Sequence, residues 1–374
     1  MVAPTATLAA RTVTRVSARA FVHPKVAGGG NPLTLFLARP SSSPSDSDTL
    51  TLPDVRSRLA QSCEWESVIA HLPSASAGEE GQRPVLSFHM PSGEEVSFCA
   101  HAALGAASVL GQEASDDEGS NNTARVVEFT TTTDDSVQSV SISTDTGEAE
   151  LKMSAKLTES DIPDFITLGH VRDALGLRME DVSLGGTGLP SYINSSIARN
   201  KTLFPMLDEK RLQVGPQNPK DADEWKRLCD KIDSTGVYLY SPVDDDSMED
   251  AKTEGNNAET KEEKQDGSEE AVLRFECRQF PRASGYPEDP ATGIAAAALA
   301  ASLRKRGFGA PVDDKDTRQY RYEFYQGTSM GHRSKIGVRF DHDCDVKSKD
   351  KDMDIYISGL VDISSREEVA LPSS

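Results

Sequence analysis

Two stretches of small residues, each entered from a strand and a tight turn, constrain this chain more than any other feature. Laid with Ala100 on Gly293, SGEEVSFCAHAALGAASVL (Ser92–Leu110) runs beside SGYPEDPATGIAAAALAASL (Ser284–Leu303), so that Ala102 meets Ala295 and Leu110 meets Leu303 in register. A helix that is apolar all round has to be buried, and two such helices behind similar turns read as an internal repeat. The expected fold is therefore α+β, with two pseudo-symmetric halves, each wrapping strongly curved strands around one central helix. A length of 374 residues suits two cores of ordinary size. The halves are placed at 12–165 and 166–365, with the late strands free to return to the first half.

The flanking pattern fits this division. Thr12–Val22 alternates polar and apolar residues as a first strand, GGGNP (Gly28–Pro32) is a turn, and Leu33–Leu37 is an apolar strand. A helix is expected from an N-cap at Thr51, through Pro53, to about Cys63. Strands at Val85–Met90 and Glu95–Phe98 precede the first small-residue helix, Ala102–Leu110, which Gly111 is expected to end. A polar meander follows over Val126–Thr132, Ser136–Thr144 and Ala149–Ser154, and Ser160–Leu177 reads as a connecting segment. In the second half, Asp221–Ile232 is helical, Gly236–Ser241 and Ala271–Phe280 are strands, and Gly293–Arg306 is the second small-residue helix. Strands at Tyr320–Gln326, Lys335–Phe340 and Met353–Ser358 close the chain.

Charge removes several classes of function. With 40 Lys+Arg against 60 Asp+Glu the net charge is −20, which opposes binding to nucleic acid or to an anionic membrane surface. Much of the acidity lies in 244–270, where 12 acidic and 3 basic residues are joined by almost nothing apolar; such a segment reads as a disordered insertion. The five cysteines form no CxxC pair, so neither a disulfide framework nor a zinc ribbon is indicated and a reducing compartment fits best. Arg11, Arg15, Arg19 and Lys25 precede the first acidic residue, as in a transit peptide. A first strand from Thr12 leaves only about ten residues for one, and the expected location is cytoplasmic.

The candidate chemistry lies where the two helices begin. The first N–H groups of a helix lack internal partners and point outward with the positive dipole end, so they can hold a carboxylate. Ala100 in the first half, and Gly293 and Ile294 in the second, occupy those places and are expected to bind substrate from facing helix ends in a cleft between the halves. His101 and Asp289 stand beside them, and Glu66 enters a strand from EWES. Each has a plain structural alternative: a capping histidine, a turn-ordering aspartate and an exposed strand-edge glutamate. HDC (His342–Cys344) reads as a solvated hairpin and not as a metal site, and neither metal nor cofactor is expected.

These residues lie in motifs that resemble the PhzF-like phenazine-biosynthesis isomerases, which have the diaminopimelate epimerase-like fold. GGGNPLTLFLA (Gly28–Ala38) looks like that family's first hairpin, and LAQSCEWESVIAHL (Leu59–Leu72) is similar to its glutamate motif. EEVSFCAHAALGAASVL (Glu94–Leu110) resembles its histidine motif, and RQFPRASGYPEDPATGIAAAALAASL (Arg278–Leu303) its EDPxTG motif. QGTSMGHRS (Gln326–Ser334) is similar to a late motif. The resemblance implies a cofactor-independent isomerase that moves a proton between carbons of a small carboxylate. By position it implies catalytic roles for Glu66, His101 and Asp289, with a homodimer as one assembly open to it. Desolvation of an enclosed glutamate would suit it to accept and return a proton. Two positions depart from the pattern: Ala100 stands for a glycine and Ile294 for a serine. A two-thiol racemase of the same fold would need a second cysteine where Thr292 stands opposite Cys99. The reading from another class is a small-molecule binding or partner-docking protein that kept the scaffold.

Overall fold

The computed structural model describes residues 12–38, 52–73, 83–115, 124–183, 188–243, 272–314, 317–348 and 351–372. The acidic segment 244–270 lies outside the described residues. The chain divides into two compact units: one takes in the chain up to Ala20, Pro32–Leu151 and the stretch from Val361, the other Phe21–Asn31 and Lys152–Leu360. The divisions after Leu151 and Leu360 fall inside strands.

In the first unit, β1 (Thr12–Val22) opens the chain and β2 (Asn31–Ala38) leads through helix α1 (Pro53–Gln61) to β3 (Ser67–His71). β2 and β3 are parallel, as a helical crossover requires. Val55 and Leu59 of α1 pack with Phe36, Ala38 and Ile69 in one apolar cluster. The cap of α1 is Leu52, which makes no side-chain cap bond; the expected cap, Thr51, lies outside the described residues. β4 (Val85–His89) pairs antiparallel with β3 and with the short β5 (Glu95–Val96), and α2 (Ala100–Ser115) follows. β6 (Ala124–Thr131) then lies parallel to β4 and antiparallel to β7 (Asp134–Ser143), after which β8 (Glu148–Ala155) leaves the unit.

Helix α2 does not stop at Gly111. A Cβ there would lie 2.7 Å from Ile142 Cδ1 and 3.4 Å from Val127 Cγ2, so the missing side chain serves close approach of β6 and β7 to the helix and not a C-cap.

The second unit repeats the plan. β9 (Thr158–Asp161) and α3 (Phe165–Ala174) lead to β10 (Ile193–Ser196), paired antiparallel with β9 and with β11 (Lys201–Pro205). Helices α4 (Glu209–Val214) and α5 (Ala222–Lys231) carry the chain over to β12 (Gly236–Pro242), parallel to β11. β13 (Leu273–Pro281) is antiparallel to β12, α6 (Gly293–Lys305) and β14 (Val312–Asp314) follow, and β15 (Thr317–Gln326) lies parallel to β13. β16 (Ser334–Asp341) and β17 (Met353–Ala370) complete the antiparallel edge. The run parallel, antiparallel, parallel, antiparallel along β2–β3–β4–β6–β7 therefore recurs along β11–β12–β13–β15–β16. In each case the small-residue helix sits between the third and fourth strands of the run. α2 packs on β3, β6 and β7, and α6 on β10, β11 and β16. Ala295–Ala301 are all fully buried, which only a helix of small residues permits when strands close in on every side.

Candidate active site

Glu66 is the residue just before β3, and its carbonyl accepts a bond from Thr34 N at 3.1 Å, which ties it to the start of β2. His101 lies in the first turn of α2, with Cys99 immediately ahead of the helix and its carbonyl bonded by Ala103 N. Because β3 and α2 pack together, the two side chains meet. His101 Nε2 is 3.9 Å from Glu66 Oε2, and the residues are only 6% and 5% exposed. Cys99 Sγ lies against the same ring, 3.2 Å from His101 Nδ1 and 3.9 Å from Nε2. A buried acid beside a buried imidazole is a pair able to take up, hold and return a proton out of contact with bulk water. Ala100 is buried at the head of α2.

Asp289 belongs to the second unit and is 8% exposed. Its Oδ1 accepts from Asn31 Nδ2 at 2.8 Å and Ala291 N at 3.2 Å, and its Oδ2 from Thr292 Oγ1 at 2.6 Å. The carboxylate thus orders the turn that launches α6. Gln326 reinforces it, donating to Asp289 O and Thr292 Oγ1 and accepting from Thr292 N. Ser334 Oγ donates to Pro290 O and accepts from Gly30 N. Gly293 is buried at the helix start and Ile294 half-buried beside it. The hydroxyl of Thr292, at the place a second thiol would need, is committed to Asp289.

Sequence reasoning placed Asn31, Gln326 and Ser334 inside motifs without giving them a role, since nothing in the linear order links residue 31 to residue 289. It also passed over Lys201. This lysine is buried on β11, and burial pushes its amine down to about 8 against the opposing pull of the Asp289 charge. The Glu288 of the EDP triplet is structural: Arg278 Nη2 and Nε bond its two carboxylate oxygens at 2.7 and 2.8 Å, and Ser329 Oγ donates to it at 3.0 Å.

Among the described residues no group of three or more His, Cys, Asp or Glu side chains is placed to hold a metal ion. His342 stacks on Tyr320 and Cys344 N closes a turn on Asp341 O, so the HDC run is a hairpin feature. No helix among the described residues is long and apolar enough to cross a membrane.

The fold is of the α+β type seen in a PhzF-family protein, a predicted epimerase and a probable proline racemase. Residues 242–363 match the family of phenazine biosynthesis-like proteins (PhzC-PhzF), the family that the motifs resemble. A phenazine biosynthesis protein of the PhzF family from Bacillus anthracis is 19% identical with a TM-score of 0.64, over 96% of this chain and 99% of that one. A predicted epimerase from Pseudomonas aeruginosa is 20% identical with a TM-score of 0.61, over 96% and 100%. A probable proline racemase from Agrobacterium radiobacter, at 12% identity, has a TM-score of 0.51 over 96% and 94%. No curated protein matches the chain.

Proposed function

We propose that this protein is a cofactor-independent isomerase that moves a proton between carbons of a small carboxylate substrate, with Glu66 as the acid and base. The observation that carries this reading is the burial of Glu66 and His101 side by side at 3.9 Å. The names of the similar structures, a PhzF-family protein, a predicted epimerase and a probable proline racemase, support the reaction class.

In this reading Glu66 accepts a proton from the substrate carbon and returns it to another, and His101 steadies the carboxylate between the two transfers. Substrate binding is assigned to Ala100 at the start of α2 and to Gly293 and Ile294 at the start of α6, because the outward N–H groups of a helix start suit a carboxylate and developing enolate charge. Asp289 is a positioning residue, since its oxygens hold the turn before α6. Ile294 brings a methyl-bearing wall where the family pattern has a hydroxyl, which directs selection toward a less polar substrate at that point. The protein works without metal or cofactor in the cytoplasm, and can do so as a homodimer.

The test is exchange of solvent deuterium into small carboxylates, followed by mass spectrometry. Glu66→Gln keeps the shape of the side chain, so binding should stay within a few-fold of wild type while exchange is lost by a factor of at least about 100. Cys99→Ala should leave exchange nearly unchanged, because Thr292 offers no second thiol. Exchange that survives Glu66→Gln and vanishes in Cys99→Ala would overturn the assignment. A tight ligand with no exchange in the wild type would instead favour a binding protein on this scaffold.

A further inference from the structure

The first unit holds a functional group that the proposed proton transfer does not use. Cys99 Sγ lies 3.2 Å from His101 Nδ1, and the other nitrogen of that ring lies 3.9 Å from Glu66 Oε2. The sulfur is 3.9 Å from that second nitrogen as well, so the thiol sits against the imidazole ring while the carboxylate approaches it at Nε2. His101 and Glu66 are buried whereas Cys99 is only half-buried, so Cys99 is the least buried of the three. It also sits at the positive end of a 16-residue helix. All three features favour a thiolate: the imidazole takes the proton, the carboxylate steadies the imidazolium, and the helix end stabilises the charge on sulfur.

The other four cysteines lack this environment. Cys63 is buried and its Sγ points at Leu59 O. Burial pushes the Cys229 thiol up to about 12, the Cys277 thiol well above its ordinary value, and the Cys344 thiol up to about 11.

We propose that Cys99 is a covalent modification site, a His101-activated thiolate that hydrogen peroxide oxidises to a sulfenic acid while the remaining thiols stay reduced. The sulfur lone pair attacks one peroxide oxygen and an S–O bond forms as the O–O bond breaks. The departing hydroxide takes the proton held by His101 and leaves as water. Sulfur loses two electrons and the peroxide gains them, so thiol plus peroxide becomes sulfenic acid plus water. The assignment rests on geometry within one unit and not on the isomerase reading, and its assay reads the sulfur and not turnover.

The full-length protein is treated with hydrogen peroxide in the presence of dimedone, and each cysteine is followed by peptide mass spectrometry. The adduct should form at Cys99 before any other cysteine, and His101→Gln should slow it at least tenfold. Because that variant can also disturb packing, a second measurement uses the wild type: the rate of iodoacetamide alkylation at Cys99 against pH. A thiolate held by His101 keeps reacting below pH 7, whereas an ordinary thiol loses about tenfold in rate per pH unit below its pKa of about 8.5. Adducts spread evenly over the five cysteines, or a Cys99 alkylation rate that follows the ordinary thiol curve, would overturn the proposal.

Discussion

Gly29 shows how much a single missing side chain can decide. A Cβ on it would lie 2.0 Å from the Arg333 carbonyl oxygen and 2.9 Å from its carbon, both backbone atoms that cannot step aside. Gly29→Ala should therefore lower stability by about 3 kcal/mol or more, at the upper end of overpacking costs. At Gly28 the nearest atom is 3.6 Å away and only φ at +79° resists a side chain, so Gly28→Ala should cost about 1 to 2 kcal/mol. Urea midpoints of the two variants give the ranking, and an equal loss would mean that the hairpin yields. The GGGNP turn was legible in the sequence; which of its glycines faces backbone was not, because Arg333 lies some three hundred residues further on. Glu276 was missed for the opposite reason, since a glutamate inside an apolar strand carries no linear signal. It is fully buried, and burial raises its carboxyl from near 4.5 to about 7 even though Arg333, Thr328 and Gln213 all contact it. The folded chain then holds this proton more tightly than the unfolded chain. Its contribution is full below pH 4.5 and is lost as pH rises to 7, by on the order of 3 kcal/mol. The difference between wild-type and Glu276→Gln stability should therefore shift across that window, and denaturation series at pH 4.5 and 7 measure it. Parallel profiles would show that the group titrates normally.

At the scale of elements, propensity and capping explain what the sequence made visible. Asp221 was expected at the head of a helix and is the N-cap of α5, its Oδ1 accepting from Asp223 N at 3.0 Å and Glu224 N at 2.9 Å. Trp225, Leu228 and Cys229 fall on one buried face, and Trp225 Nε1 reaches Pro281 O. Asp221→Ala should cost about 1 kcal/mol and Asp221→Asn much less, because asparagine caps as well as aspartate does; thermal melts of the pair separate capping from charge. The elements that stayed hidden are those whose pattern is too short or too polar to register. α4 has six residues and β9 four. β17 runs to Ala370 although its last eight residues, ISSREEVA, look like a tail. Its polar residues are satisfied across β1 instead: Thr14 Oγ1 donates to Glu368 and Ser364 Oγ to Ser17 O. Polar alternation on an edge strand resembles a tail in sequence because both faces touch water. The same gap applies to the candidate site. Glu66 and His101 were picked from motifs, but their 3.9 Å separation depends on β3 meeting α2, a contact between non-neighbouring elements.

For the whole molecule, the repeat matters more than the total length. Each unit keeps one run of strand pairings around one small-residue helix, so an insertion is tolerated wherever it enters at the end of a paired hairpin. The acidic segment 244–270 does so. β12 and β13 are antiparallel up to Pro242 and Phe275, and Val243 N still bonds Arg274 O at 3.0 Å. The two ends of the segment are therefore already neighbours, and joining Val243 to Ala271 leaves only Ala271, Val272 and Leu273 before Arg274, a loop of ordinary hairpin length. With almost no apolar side chains of its own, the segment brings little burial to either core. Closing a shorter loop also costs the folded chain less entropy, about 0.6 kcal/mol for each halving of length. Deleting 244–270 should thus leave the melting temperature equal to or slightly above that of the full chain, and should leave isomerase exchange intact. Its net charge of −9, on the other hand, disappears and leaves −11 in place of −20, so the deletion variant should elute earlier from an anion-exchange column at the same pH. A fall in melting temperature of more than about 4 °C, roughly the shift that 1 to 2 kcal/mol produces in a domain of this size, would show that the insertion packs against the unit that carries it.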